Sequence, residues 1–228
     1  MHLMSDAETL SVPTPVQSSA SSEETTPTRK RPKPGERRVQ ILQALAAMLE
    51  QPGADRITTA ALAARLEVSE AALYRHFASK AQMFEGLIEF IEQSVFSLVN
   101  QITEQERTSV TADAAAGPRQ AAQIVAMLMQ FAEKNPGMTR VMVGDALVFE
   151  NERLQQRMNQ FFDKIESSLK QSLRVGAELS GSATPSVDTQ VRASVLSAFI
   201  VGRLQRFARS NFKRLPSEHL QASLSLLL

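Results

Sequence analysis

One short stretch of the chain gathers side chains that could do chemistry. The segment VSEAALYRHFASK, residues 68–80, contains the single tyrosine, Tyr74, followed by Arg75, His76 and Lys80. A phenol, an imidazole and an ammonium are common groups of acid–base sites. The same groups donate hydrogen bonds to the phosphates of nucleic acids. The residues alone therefore leave two interpretations open, a catalytic site and a surface for a polyanion.

Composition restricts the catalytic interpretation. The chain of 228 residues has no cysteine, which excludes disulfides, thiolate catalysis and cysteine-based zinc sites. The histidines His2, His76 and His219 are far apart in sequence and lack the spacing of a metal site. No Ser/His/Asp set, carboxylate pair or glycine-rich phosphate loop is apparent elsewhere. We therefore expect no enzyme activity, no metal and no cofactor.

Positive charge is concentrated around the same stretch. The net charge is only +1, yet residues 29–80 contain ten Lys or Arg and five Asp or Glu. Residues 1–28 contain four acids and no Lys or Arg, and residues 81–228 contain fifteen of each sign. A local excess of basic residues favours a polyanionic partner.

Residues 1–36 are interpreted as an acidic and then basic tail. Residues 1–28 are rich in Ser, Thr and Pro without a periodic apolar face, which predicts disorder. The segment RKRPKPGERR, residues 29–38, is either a solubilising linker or a flexible arm that contacts DNA. Because no apolar run suits a signal peptide or a membrane span, we expect a cytoplasmic protein.

The remaining sequence predicts an all-α fold, because apolar residues recur at helical spacing and no segment alternates as a strand does. Pro52 and Gly53 end a first helix. Thr58 or Thr59 can N-cap a short second helix, and Ser69 can N-cap a third. The side chains expected to face inward from these two helices are Leu62, Leu66, Leu73 and Phe77. Two short helices joined by a tight turn make a helix-turn-helix.

Long helices follow. One is predicted from Lys80 to Arg107, with an apolar stripe of Phe84, Ile88, Ile91, Val95, Leu98 and Ile102. Phe90 and Phe96 lie off this stripe, which suits either a protein-docking groove or burial against a neighbouring helix. The later predicted helices are residues 121–135, Met138–Leu147, Glu150–Glu178, Asp188–Lys213 and Ser217–Leu228.

The segment ITTAALAARLEVSEAALYRHFASKAQMFEGLIEF, residues 57–90, resembles the DNA-binding region of TetR-family regulators. The LYxHFxSK run followed at once by a long helix is the most specific part of the resemblance. It implies a three-helix DNA-binding domain at residues 37–80 with a helix-turn-helix. Residues 81–228 would then form a C-terminal helical domain for dimerisation and for a partner or effector.

The resemblance also implies which residues contact double-stranded DNA. The backbone contacts that it implies are Tyr74, His76 and Lys80. Short donors at helix N-termini, with one nearby guanidinium, are expected from Thr58, Thr59, Ser69 and Arg56. The small side chains of Ala71 and Ala72 suit a close approach to base edges, where a methyl can contact thymine.

One position departs from the family pattern. Where the family usually has glycine in the turn between the two helices, this chain has Glu67. A residue other than glycine costs about 1 kcal/mol if its φ is positive. We therefore expect a slightly strained turn.

Dimerisation is implied for the last two helices. In VRASVLSAFIVGRLQRFARS, residues 191–210, a close-packing face is provided by Val195, Phe199 and Gly202. A homodimer presents two recognition helices about one DNA turn apart, which predicts a palindromic DNA site.

The second half of the chain resembles one branch of the family, the nucleoid occlusion factors, in residues 135–162 and 206–213. Members of that branch bind DNA and antagonise FtsZ, the tubulin-like GTPase of cell division. The resemblance implies a nucleoid-associated inhibitor of FtsZ ring assembly whose FtsZ surface comprises Phe90, Met127, Lys134 and Asn135. Lys134 stands where the branch has arginine, so the positive charge is kept but the bidentate fork is lost.

A ligand-responsive repressor of the same family is the alternative. In that case the segment VAMLMQF, residues 125–131, would line a small-molecule pocket. A stripe of this kind is more often plain core.

Overall fold

The computed structural model describes residues 35–51, 57–108, 115–181 and 183–228. All regular structure in these residues is helical, which confirms the predicted all-α class. Most of the predicted tail, residues 1–34, and Arg56 lie outside the described residues. The helices are α1 (Glu36–Leu49), α2 (Thr59–Arg65), α3 (Glu70–Tyr74), α4 (Lys80–Thr108), α5 (Ala116–Lys134), α6 (Pro136–Met142), α7 (Glu152–Leu179), α8 (Pro185–Arg209) and α9 (Leu220–Leu227).

The caps predicted for the helix-turn-helix are present. The Thr58 hydroxyl accepts a hydrogen bond from the Ala61 amide at 3.1 Å, and the Ser69 hydroxyl accepts one from the Ala72 amide at 3.3 Å. Each cap satisfies an N–H that the start of a helix leaves without an intrahelical partner. Leu62, Leu73 and Phe77 are each 1% exposed and Leu66 is half-buried, as predicted for inward positions.

The turn between α2 and α3 has the backbone conformation that the sequence suggested. Glu67 has a φ of 53°, in the left-handed region that favours glycine. The amides of Glu67 and Val68 donate to the carbonyls of Ala64 and Ala63 at 3.1 and 3.0 Å. These bonds close the end of α2, and the local strain is the cost of having a side chain there.

Helix α4 starts at Lys80 as predicted, but its buried stripe differs at one position. Ile91 and Val95 are fully buried, whereas Leu98 is 37% exposed and Val99 is 3% exposed. The prediction for Leu98 is therefore wrong. Ile91, Val95 and Val99 follow at four-residue intervals along the face that packs on α5 and α7. Leu98 lies about 100° around the helix from Val99.

Three helix boundaries differ from the prediction for backbone reasons. The last helix begins at Leu220 and not at Ser217, because His219 before it has a φ of 53°. The predicted helix Met138–Leu147 is divided into α6 and a 3₁₀ turn, Asp145–Leu147, because Gly144 between them has a φ of 83°. Helix α8 ends at Arg209 and not at Lys213, because Asn211 and Phe212 have φ values of 52° and 64°. No residue in the left-handed region continues a right-handed helix.

Helix α6 packs closely on α1, and this contact holds the N-terminal helices against the C-terminal body. A methyl group added at Gly137 would overlap the backbone carbonyl of Ala46 in α1. Backbone atoms cannot rotate away as the end of a flexible side chain can, so the crossing depends on the missing Cβ. None of the helices in the described ranges is long and apolar enough to cross a membrane.

The strain at Glu67 generates a stability prediction. Glu67→Gly should raise the free energy of unfolding by about 1 kcal/mol, because glycine adopts the left-handed region without steric cost. Urea unfolding followed by circular dichroism measures the change. Glu67→Ala is the matched control, since it removes the carboxylate but keeps the Cβ. An equal gain from alanine would show that strain is not the cause.

The crossing at Gly137 generates the opposite prediction. Gly137→Ala should lower the free energy of unfolding by about 2 kcal/mol, because the added methyl forces two backbones apart. Elsewhere in a helix the same change is stabilising by up to about 1 kcal/mol. The same urea titration therefore tests the sign, and a gain in stability would contradict the close contact.

Candidate nucleic-acid interface

Three side chains on the exposed side of α2 and α3 form one hydrogen-bonded group, which consists of Thr59, Glu70 and Tyr74. The Thr59 hydroxyl donates to a Glu70 carboxylate oxygen at 2.6 Å. The Tyr74 phenol lies 3.5 Å from the Thr59 hydroxyl, and the tyrosine is 45% exposed. The structure thus brings together two of the sequence-predicted residues, Thr59 and Tyr74, at the surface of α3.

Glu70 was not among the predicted site residues. Its carboxylate accepts the Thr59 hydroxyl proton, so a phosphate at this position would have to replace Glu70 as the acceptor. A signal was present in the sequence, since acids are favoured in the first turn of a helix, where the dipole is positive. Glu70 is the first residue of α3.

The other predicted residues around α3 lie on or near its surface. Thr58, Ser69 and Ala71 are exposed, and Ala72 is half-buried. The hydroxyl oxygens of Thr58 and Ser69 accept from backbone amides, which leaves each O–H proton for an outside acceptor. The starts of α2 and α3 therefore each offer one hydroxyl donor, and Ala71 places a small side chain in the first turn of α3.

His76 follows α3 in the turn toward α4 and is half-buried. Its backbone carbonyl accepts a hydrogen bond from the Arg38 guanidinium at 2.6 Å. The same guanidinium lies 4.1 Å from the centre of the Phe77 ring, a cation–π geometry. Arg38 lies where the predicted linker or arm, residues 29–38, overlaps the predicted DNA-binding domain, residues 37–80, and the structure anchors it in α1 against this turn.

Lys80, the first residue of α4, already has an anionic partner. Its ammonium lies 2.5 Å from a carboxylate oxygen of Glu150, which precedes α7. The Lys80 side chain is 32% exposed and the Glu150 side chain 11% exposed. Sequence analysis missed this pair, because seventy residues separate the partners.

The residues predicted to bind a protein partner lie on α4 and α5, two helices that pack directly against each other. Phe90 is 40% exposed, which fits the docking alternative better than burial, and Lys134 is exposed at the end of α5. Met127 is half-buried and packs partly on the core. The Asn135 amide donates to the Phe131 carbonyl at 2.8 Å, which closes the end of α5.

The second off-stripe aromatic has a structural role. The Phe96 ring packs against that of Phe161 in α7 with 5.6 Å between ring centres, in an edge-on geometry. Phe161 contacts Phe162 in the same way at 5.2 Å. Leu128 and Met129, from the segment assigned to a pocket under the repressor alternative, have no exposed surface. That segment therefore contributes to the core between α4, α5 and α7.

An apolar row lies on the outside of α8. Val187, Val191 and Val195 repeat at four-residue intervals and are 60%, 56% and 45% exposed. Phe199 continues the row, half-buried under the Arg203 guanidinium at 4.9 Å, and Gly202 faces open space. The predicted close-packing residues therefore lie on an outer face of the protomer.

Metal chemistry finds no support in the geometry. Within the described part of the chain, no three side chains of His, Cys, Asp or Glu are grouped so that they could hold a metal ion.

Family models match both parts of the chain. The model for bacterial regulatory proteins of the tetR family matches residues 41–87. The model for the tetracyclin repressor-like C-terminal domain of the SlmA-like type matches residues 119–228. The fold is also similar to that of the fatty acid degradation regulator FadR from Bacillus halodurans. That likeness has a TM-score of 0.68 at 16% identity and covers 86% of this chain and 96% of the other.

Individual relatives are far more similar in sequence. The chain is 52% identical over 186 residues to the nucleoid occlusion factor SlmA of Idiomarina loihiensis, which covers 82% of this chain and 90% of that protein. It is 50% identical over 197 residues to the nucleoid occlusion factor SlmA of Aliivibrio fischeri, covering 86% and 96%. Identity at this level extends over both helical parts, so the chain belongs to the SlmA family of nucleoid occlusion factors, which are DNA-binding regulators of the TetR type.

Proposed function

We propose that the protein binds palindromic DNA as a homodimer and, from the nucleoid, inhibits FtsZ ring assembly and so regulates cell division. The observation that carries the proposal is the exposed face of α3, held by two capped helices, with Tyr74 at the surface. The protein would act in the cytoplasm, associated with the nucleoid. It would act as a regulator and not as an enzyme, with no cofactor.

The DNA contact uses α3 in the major groove. Ala71 and Ala72 allow the helix to approach base edges closely, because a methyl is the only side-chain group in the way. Tyr74, Lys80 and the hydroxyls at the starts of α2 and α3 donate to phosphates on either side. His76 adds an imidazole in the turn after α3. The concentration of positive charge in residues 29–80 supports this orientation.

The homodimer buries the apolar row of α8. Val187, Val191 and Val195 are the largest exposed apolar side chains of that helix, and a second copy of the row would remove them from water. A twofold dimer is self-complementary, so one row packs on its own copy. The two recognition helices then read an inverted repeat.

The FtsZ contact uses the surface between α4 and α5. Phe90 supplies an exposed aromatic anchor, and Lys134 supplies a positive charge for an acidic segment of FtsZ. Met127 adds apolar surface beside Phe90. Asn135 holds the end of α5 and so keeps Lys134 in position.

The ligand-responsive repressor has less support. Leu128 and Met129, which belong to the segment expected to line its pocket, are fully buried in the core. A groove of about 480 Å³ beside α7 and α8 is lined instead by charged and amide side chains, including Glu166, Lys170 and Gln190. Such a lining does not suit the mostly apolar ligands of buried pockets.

DNA binding is tested first with duplexes selected from a randomised pool. Selected sequences should contain an inverted repeat, and Lys80→Gln should weaken binding and flatten its dependence on salt. A symmetric dimer loses one phosphate contact per protomer, so the slope of log K against log salt should fall by about 2. Fluorescence anisotropy at several salt concentrations measures both quantities.

The matched control is Lys164→Gln, which removes an equal charge from an exposed lysine of α7. It should leave the salt slope unchanged. Equal slopes for the two variants would contradict the phosphate role of Lys80. Selection of sequences without an inverted repeat would contradict the dimer.

The FtsZ contact is tested by sedimentation of FtsZ polymers with and without the selected duplex. The wild-type protein should reduce polymer yield, and Phe90→Ala and Lys134→Glu should each lose most of this effect. Both variants should keep DNA affinity within about twofold, since the altered side chains lie outside the helix-turn-helix (HTH). Truncation of an aromatic anchor commonly costs about 2 kcal/mol or more, which is a loss of about thirtyfold in affinity.

Two control variants match these changes. Leu98→Ala removes another exposed apolar side chain from α4, and Lys164→Glu reverses an exposed charge on α7. Both should still inhibit FtsZ. If the controls lose inhibition to the same extent as Phe90→Ala and Lys134→Glu, the partner does not use the surface between α4 and α5.

A further inference from the structure

The pair between Lys80 and Glu150 joins the start of α4 to the turn before α7. Glu150 lies after the 3₁₀ turn, and its amide donates to the Leu147 carbonyl at 3.0 Å. The carboxylate is mostly buried, whereas the lysine keeps about a third of its surface exposed. An ammonium has three N–H donors, so the exposed part of Lys80 can still face an incoming anion.

Two neighbouring ion pairs between α4 and α7 have the reverse polarity. Glu85 pairs with Arg153, and Glu92 pairs with Arg157 at 2.6 Å. The pKa of Arg157 is raised, first by its hydrogen bond to Glu92, against the lowering effect of burial. In these pairs the acid lies on α4 and the cation on α7. At Lys80 the cation lies on α4, at the end next to the HTH.

A DNA phosphate that approaches Lys80 therefore also approaches the Glu150 carboxylate. Two anions close to one ammonium repel each other, and the repulsion is strong at short range even in salt. The phosphate binds best if the ammonium turns away from Glu150. Loss of its partner leaves Glu150 as a largely buried charge, which favours movement of its segment toward water.

We propose that Glu150 competes with DNA phosphate for Lys80, so that DNA binding detaches residues 148–151 from α4, while Leu147 stays in the core. This inference rests on the proposed function, because it needs Lys80 to contact DNA. The turn includes Val148 and Phe149, which are 66% and 63% exposed. Linkage makes the effect reciprocal, so that any contact which stabilises the detached turn strengthens DNA binding.

The first test is the DNA affinity of the full-length Glu150→Gln variant. Glutamine keeps an oxygen that accepts from Lys80 but removes the negative charge. Affinity for the selected duplex should rise about fivefold per protomer at moderate salt. The salt slope should stay close to the wild-type value, since Lys80 contacts the same phosphate in both proteins.

Glu85→Gln is the matched control. It removes one negative charge from the same interface between α4 and α7, but the partner there is Arg153, which the proposal does not place on DNA. It should change affinity less than twofold and leave the slope unchanged. Equal effects of the two variants would overturn the proposal, because they would reflect net charge alone. A loss of affinity in Glu150→Gln would also overturn it, since Glu150 would then position Lys80 for DNA.

The second test follows the turn itself by hydrogen exchange. In the wild-type protein, the duplex should speed exchange of amides in residues 148–151, while residues 163–170 of α7 serve as the internal reference. In Glu150→Gln the duplex should not speed this exchange, because the neutral glutamine leaves no buried charge when Lys80 turns to the phosphate. Unchanged exchange on DNA binding would overturn the detachment.

Failure of this inference can be told apart from failure of the proposed function. If Lys80→Gln leaves the salt slope at the wild-type value, Lys80 does not contact phosphate. The competition proposal is then wrong, and the proposed DNA contact no longer includes Lys80. If Lys80→Gln flattens the slope while Glu150→Gln behaves as Glu85→Gln does, the phosphate contact holds and only the competition is wrong.

Discussion

The buried face of α4 is the constraint on which the rest of the structure depends. Near the start of the helix, a methyl group added at Gly86 would lie 3.0 Å from the ring of Phe77, which follows α3, and 3.4 Å from the side chain of Leu42 in α1. Further along, Ile91 and Val95 are fully buried in the same continuous core, and Phe96 meets Phe161 of α7. Helix α4 thus packs against both the helix-turn-helix and α7 within one core. A shift of the helix-turn-helix therefore requires a change at α7.

Charged side chains lie along the edge of that core and not within it. The pairs of Glu85 with Arg153 and of Glu92 with Arg157 join α4 to α7 across partly exposed surface. Exposed ion pairs add little stability, but they fix the register of two helices and exclude alternative pairings. The same edge carries Lys80, so the residue expected to contact DNA is also part of the interface between helices. A change in the charge near Lys80 at the start of α4 therefore acts directly on Glu150, just before α7.

Much of the HTH could be predicted because its determinants are local. Thr58 and Ser69 cap helices through amides three residues away, and Glu67 adopts its left-handed conformation within a turn of a few residues. The helix period also placed Phe90 and Phe96 off the stripe, but it left open that Phe90 is exposed while Phe96 packs on Phe161. Leu98 could not be predicted in the same way. The exposure of Leu98 depends on which part of the α4 surface α5 and α7 cover. The helical spacing of apolar residues does not show where those neighbouring helices pack.

The candidate site likewise combines features set by local contacts with features set by the packing of distant helices. The sequence by itself determined the fold class, the caps, the strained turn and the residue types on α3, because these depend on contacts within about one helical turn. Tertiary structure alone decided that Arg38 anchors the turn at His76, that Thr59 donates to Glu70, and that Lys80 pairs with Glu150. These partners are 38, 11 and 70 residues apart, and only the packing of whole helices brings such groups within hydrogen-bond distance.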